Sequence, residues 1–107
     1  MPQEKMPQVS DKELMMSNML MIQPEYHEEF LMELREILPQ ARRLEACISL
    51  EVGEVADQPG MFVLSEGWRK GNEYLNEILQ LPLYQRYLER SEPFYAVPRA
   101  VLVLTSI

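Results

Sequence analysis

Apolar positions recur along this chain with two different periods. From Leu14 to Gln23 the period is two: Leu14, Met16, Asn18, Leu20 and Ile22 share one face, and Met15, Ser17, Met19 and Met21 share the other. Both faces are largely apolar, which predicts a strand covered on both sides, by helices on one and by a second copy of the chain on the other. Past Pro24 the period lengthens. Phe30, Leu31, Leu34, Ile37, Leu38 and Ala41 recur every three or four residues, the signature of an amphipathic helix. Pro24 presets its first turn, Glu25, Glu28 and Glu29 suit the positive end of its dipole, and the helix is expected to be interrupted or to end near Pro39, with Arg42 and Arg43 near its C-terminal end. Period two returns over Cys47–Val55, with Ile48, Leu50 and Val52 on one face. It continues over Met61–Trp68, where Phe62, Leu64, Glu66 and Trp68 alternate with Met61, Val63 and Ser65. Between these strands Gln58-Pro59-Gly60-Met61 carries the chemistry of a tight turn, so the two form a hairpin. Gly71-Asn72 opens a second helix with Tyr74, Leu75, Ile78 and Leu79 as its stripe. Pro82 restarts a third with Leu83, Tyr84, Tyr87 and Leu88 inward, and Ala100–Ile107 is an aliphatic final strand.

The resulting order, β-α-β-β-α-(α)-β, predicts an α+β, ferredoxin-like split β-α-β domain in which helices cover one face of a four-stranded antiparallel sheet. Residues 1–12, polar with two prolines, read as a flexible N-terminal arm, and residues 13–107 as the domain. A chain of 107 residues makes one domain with a modest core, and pairing two copies through the sheet face would bury more. The formal net charge of -7 argues against nucleic acid and against anionic membrane surfaces. The longest apolar run, Ala100–Leu104, falls far short of the ~20 residues a spanning helix needs. Charged residues break up the N-terminus, and the one cysteine, Cys47, cannot form an internal disulfide, so a reducing, cytoplasmic location is expected. No phosphate loop, nucleophile elbow, Cys-x-x-Cys pair or metal-ligand spacing is present, and neither a metal nor a cofactor is expected.

The hairpin carries a more specific pattern. Glu45-Ala46-Cys47-Ile48-Ser49-Leu50-Glu51, followed by Asp57-Gln58-Pro59-Gly60-Met61-Phe62-Val63-Leu64-Ser65-Glu66-Gly67-Trp68, resembles the antibiotic biosynthesis monooxygenase family. Leu81-Pro82-Leu83-Tyr84 and Ile22-Gln23-Pro24-Glu25-Tyr26-His27-Glu28-Glu29-Phe30 extend the resemblance, which runs from about residue 16 to 105. It implies a dimeric α+β barrel, with two sheets packed face to face and a pocket between each sheet and its helices. Members include cofactor-free oxygenases of aromatic polyketides, quinol oxygenases, haem-degrading oxygenases and proteins without a known reaction. Against the haem-degrading pattern, Asn18 falls at the family's Asn, Glu77 at its Trp and Tyr87 at its His, so the expected axial imidazole is missing. Ala46 stands where the family has glycine.

The candidate catalytic residues are Asn18, Glu66, Glu77 and Tyr87, with Leu20, Trp68, Tyr74 and Tyr84 as the substrate pocket. Asn18 interrupts an apolar face and needs partners if buried. Glu66 among apolar neighbours would have a raised pKa, suiting a general base; alternatively it pairs with Arg69 or Arg99. Trp68 and the tyrosines either orient a flat aromatic ligand or simply fill the core. His27 reads as a surface residue, Cys47 as a small hydrophobe, and the methionines as packing. The leading expectation is a cofactor-independent monooxygenase acting on a small quinol- or anthrone-type aromatic. There Glu66 or Glu77 is the base, and Asn18 with Tyr87 stabilises the oxyanion. A non-catalytic dimeric binding module for a hydrophobic metabolite or protein partner is the alternative, and a haem-degrading oxygenase the third.

Overall fold

The computed structural model describes residues 11–105 and residue 107; residues 1–10 of the expected arm lie outside the described residues. Strand β1 (Leu14–Met21) leads through a 3-10 turn, Pro24–Tyr26, into helix α1 (His27–Arg42). The hairpin follows as β2 (Cys47–Glu54) and β3 (Met61–Trp68). A short α2 (Gly71–Glu73) runs into a π-helical segment, Tyr74–Ile78, and α3 (Pro82–Ser91) ends in a 3-10 turn, Glu92–Phe94, before β4 (Ala100–Leu104). The strands lie in the order β2-β3-β1-β4, every neighbour antiparallel. This is the ferredoxin-like α+β arrangement that the pattern predicts.

The inner face of the sheet meets the helices. Leu14, Met16, Asn18, Leu20 and Ile22 are all buried, and α1 covers them with Phe30, Leu34, Ile37 and Ala41. Aromatic rings fill the middle. Phe30 meets the edge of Phe62 at 5.0 Å, and Trp68 lies 4.9 Å from Tyr74 and 6.2 Å from Tyr84 between ring centres. The hairpin turn forms as expected, with Met61 N–H donating to Gln58 O at 3.1 Å and Gly60 at φ 93°. Ile22 N–H donates to Gly60 O at 2.8 Å, which ties the turn to the end of β1.

Two elements depart from the sequence pattern, while helix α1 ends near Pro39 as expected. Helix α1 runs through Pro39 to Arg42, its last residue. Pro39 sits exposed in the last turn, where its ring meets solvent and only one hydrogen bond is forgone. In β2 the register shifts between Cys47 and Ser49, so Ile48 bulges out, 53% exposed, instead of sharing a face with Leu50 and Val52. The helix following Gly71 widens, with Leu79 N–H reaching back five residues to Tyr74 O at 2.9 Å.

The outer face of the sheet has no cover among the described residues. Met19, Leu102 and Leu104 are exposed there, and β4 is exposed along both faces. Among the described residues no helix is long and apolar enough to cross a membrane.

Candidate functional site

Strand register builds the site. Asn18 pairs opposite Leu64, and Glu66 opposite Met16, which makes Asn18 and Glu66 diagonal neighbours on the inner face. Trp68, two residues beyond Glu66, projects from the same face. Asn18 Nδ2 donates to Glu66 Oε2 at 2.6 Å, and Trp68 Nε1 donates to Glu66 Oε1 at 2.9 Å. Each carboxylate oxygen therefore has one neutral donor. Burial pushes the Glu66 carboxyl above its ordinary range, opposed by the Trp68 hydrogen bond, the charge of Arg99 and the Asn18 hydrogen bond.

Glu66 forms part of the wall of a cavity of about 30 Å³ that is also bordered by Tyr74, Tyr84, Tyr87, Leu88 and Arg99. A water needs about 10–15 Å³, so the space holds a molecule of that size and no aromatic ring. The three phenols are pushed well above the ordinary tyrosine range, burial being the main cause. They stay protonated at any physiological pH and act as donors.

The expected site residues thus divide. Asn18, Glu66 and Trp68 form one hydrogen-bonded unit, and Tyr74, Tyr84 and Tyr87 surround the cavity beside it. Leu20, opposite Phe62, is packed into the core away from the cavity wall. Glu77 is exposed, one position from the buried Ile78 and outside the cavity wall. Arg69, one expected partner of Glu66, is taken by Glu73 at 2.8 and 2.9 Å. Arg99, the other, is near enough to influence Glu66 but forms no ion pair with it among the described residues. Sequence reasoning gave Arg99 no role of its own. Its signal was there, as the one cation after Arg90, set between Pro98 and an aliphatic strand. Cys47 is half-buried, and its thiol is raised chiefly by burial, which disfavours the thiolate.

His27 is more engaged than a lone surface histidine. Its Nε2 lies 2.7 Å from Glu54 Oε2, and its ring lies against Phe62 with centres 5.8 Å apart. The same Glu54 oxygen accepts from Gly60 N–H at 2.8 Å. This cluster ties the start of α1 to the hairpin turn, away from Glu66. No group of three or more potential metal ligands occurs among the described residues.

A ferredoxin-like domain with a buried acid and a ring of phenols between sheet and helices is the class of protein defined here. Residues 14–90 match the model of the antibiotic biosynthesis monooxygenase family, and the chain belongs to that family. Among solved structures it is similar to Rv0793 from Mycobacterium tuberculosis, with 25% identity, a TM-score of 0.81, and coverage of 90% of this chain and 96% of that one. A solved antibiotic biosynthesis monooxygenase shares 19% identity at a TM-score of 0.81, covering 88% of this chain and 98% of that one. PA3566 from Pseudomonas aeruginosa shares 17% at 0.80, covering 90% and 95%. The latter two likenesses show the fold. No curated protein matches the chain by sequence.

Proposed function

We propose that this protein is a cofactor-independent oxygenase of a small, electron-rich aromatic of the quinol or anthrone kind, with Glu66 as its base. The observation that carries this reading is the placement of Glu66. It is a buried carboxylate of raised proton affinity, held from behind by Asn18 and Trp68 at the wall of a phenol-lined cavity. For an anthrone, Glu66 takes a methylene proton and the resulting carbanion forms a carbon–oxygen bond with dioxygen. Glu66 returns its proton to the peroxide. The second carbon–hydrogen bond and the oxygen–oxygen bond then break, leaving a carbonyl and water. The substrate carbon supplies all four electrons. The protonated phenols of Tyr74, Tyr84 and Tyr87 supply donors for the enolate oxygen. Asn18 acts on Glu66 rather than on substrate. Glu77 would have to act from the solvent side, so Glu66 is the better base.

An aromatic substrate requires the cavity to widen. The wall is least regular at Tyr74–Ile78, where the helical hydrogen bonding changes step. Oxygen uptake by purified protein with anthrone and naphthoquinol substrates tests the reading. Uptake above buffer that is lost in Glu66→Gln supports it, and none across the panel removes it.

The exposed apolar outer face of the sheet favours a second reading, a non-catalytic module that binds a hydrophobic metabolite or a protein partner. Such a protein would bind aromatics without consuming oxygen. Haem degradation gains nothing from the geometry, since the chain's single imidazole is held by Glu54. We also infer a homodimer formed through the open sheet face, the family's common assembly.

A further inference from the structure

Beside the small cavity runs a groove of about 800 Å³ along α3, within the range of pockets that hold small molecules. Among the described residues only Leu88 and Arg99 border both spaces, so these two side chains form the neck between them. Arg99 directly precedes β4 and reaches the cavity wall on the inner side of the sheet, two residues before Val101, which pairs opposite Asn18. Among the described residues Arg99 has no carboxylate within ion-pair distance, while Arg86, the other cation of the groove, lies 4.0 Å from Glu36. Beside Arg99, Tyr95 Oη is buried, and its near polar neighbour among the described residues is the Arg99 guanidinium itself. Glu89 and Glu92 also line the groove, Glu92 near enough for its charge to act on Tyr95, and both would repel a second anion there.

We propose that Arg99 is a specificity-determining anion site, and that the aromatic taken by this protein carries one carboxylate, which docks on Arg99 at the neck while its ring lies toward the phenols. This rests on the proposed oxygenase or binding reading of the Glu66 cavity and names the substrate class for it. A guanidinium fork matches a carboxylate in two parallel hydrogen bonds, and Tyr95 Oη offers a further donor. The carboxylates along the groove leave one place for an anion, so a mono-acid fits and a di-acid does not. The chain's net charge of -7 repels anions in general, so a preference for an acid has to come from a local site. Docking an anion on Arg99 also cancels the charge that holds the Glu66 carboxyl down, which makes Glu66 a stronger base once substrate is bound.

The experiment is calorimetric binding of 1-hydroxy-2-naphthoate and of 1-naphthol, the same ring without the carboxylate, to the full chain at neutral pH. The naphthoate is expected to bind at least about tenfold tighter, the advantage of a charge-assisted hydrogen bond. Arg99→Gln should bring the naphthoate to the affinity of naphthol, Arg99→Lys should keep part of the preference, and Arg86→Gln should keep it all. Equal affinities in the native chain, a preference that survives in Arg99→Gln, or no binding of either compound would each overturn the proposal. Oxygen uptake on a neutral anthrone reads the oxygenase activity separately, so the two ideas fail by different measurements.

Discussion

Asn18 and Trp68 donate to opposite oxygens of Glu66, and both bonds favour the ionised acid over the neutral one. Replacing Asn18 with leucine keeps the bulk and removes a donor, so the Glu66 carboxyl should titrate at higher pH. Carbon-13 NMR of the side-chain carboxyls across a pH series reads this directly, and an unchanged or lower midpoint would contradict the assigned role of Asn18. The stability consequence has a definite sign. The folded pKa of Glu66 is raised, so its favourable contribution is full below the unfolded value and fades as pH rises through the folded one. Compared with Glu66→Gln, the native chain should lose ground in denaturant melts on going from acid to neutral pH. Asn18 was legible in the sequence as a polar break in an apolar face, and Glu66 as a carboxylate in an alternating strand. Their bond was not, because it depends on the pairing of β1 with β3, residues far apart in the chain.

The turn and the helices test the architecture one level up. Gly60 has φ 93°, and a Cβ there would stand 2.9 Å from Ile22 O. Gly60→Ala should therefore cost about 1–3 kcal/mol in chemical denaturation, from backbone strain and the close approach together. His27 joins α1 to that turn through Glu54, whose hydrogen bond raises the imidazole above its ordinary value near 6.5. A raised histidine stabilises fully below its unfolded pKa and ceases to do so as pH climbs through the folded one. Thermal melts should show the native chain losing stability over that upper interval, and His27→Phe should flatten the slope; equal slopes would dismiss the latch. Strand and helix positions were readable because burial imposes their periods. The bulge at Ile48 and the π-helical step at Tyr74–Ile78 were not, since each adds a residue that breaks the period it interrupts. Glu77 shows the same limit. It entered the candidate site through a family position, while the stripe of Tyr74 and Ile78 leaves it on the solvent side.

At the scale of the whole molecule, the question is what covers the outer sheet. Leu102 is 59% exposed and Leu104 46% exposed on a short edge strand whose outward hydrogen-bonding groups face no neighbour in the sheet. An open apolar sheet on a chain of this size invites a second copy. Sedimentation equilibrium at micromolar concentration should give twice the chain mass of 12.6 kDa. Leu102→Lys should return the single-chain mass without loss of secondary structure by circular dichroism. A native chain that sediments as a single copy would rule the pairing out. Apolar residues on both sides of β1 made an apolar outer face legible from the sequence alone, whereas the course of the groove past α3 required the helices to be in place.

Trp68 is the chain's only indole, fully buried, and its N–H rests on the very acid proposed to move protons. Its emission colour and lifetime should therefore shift as that acid gains or loses a proton, since a neutral carboxyl and an anion polarise the excited ring differently. Unlabelled protein in a cuvette contains its own optical gauge of the buried acid, and one ultraviolet lamp suffices to follow it.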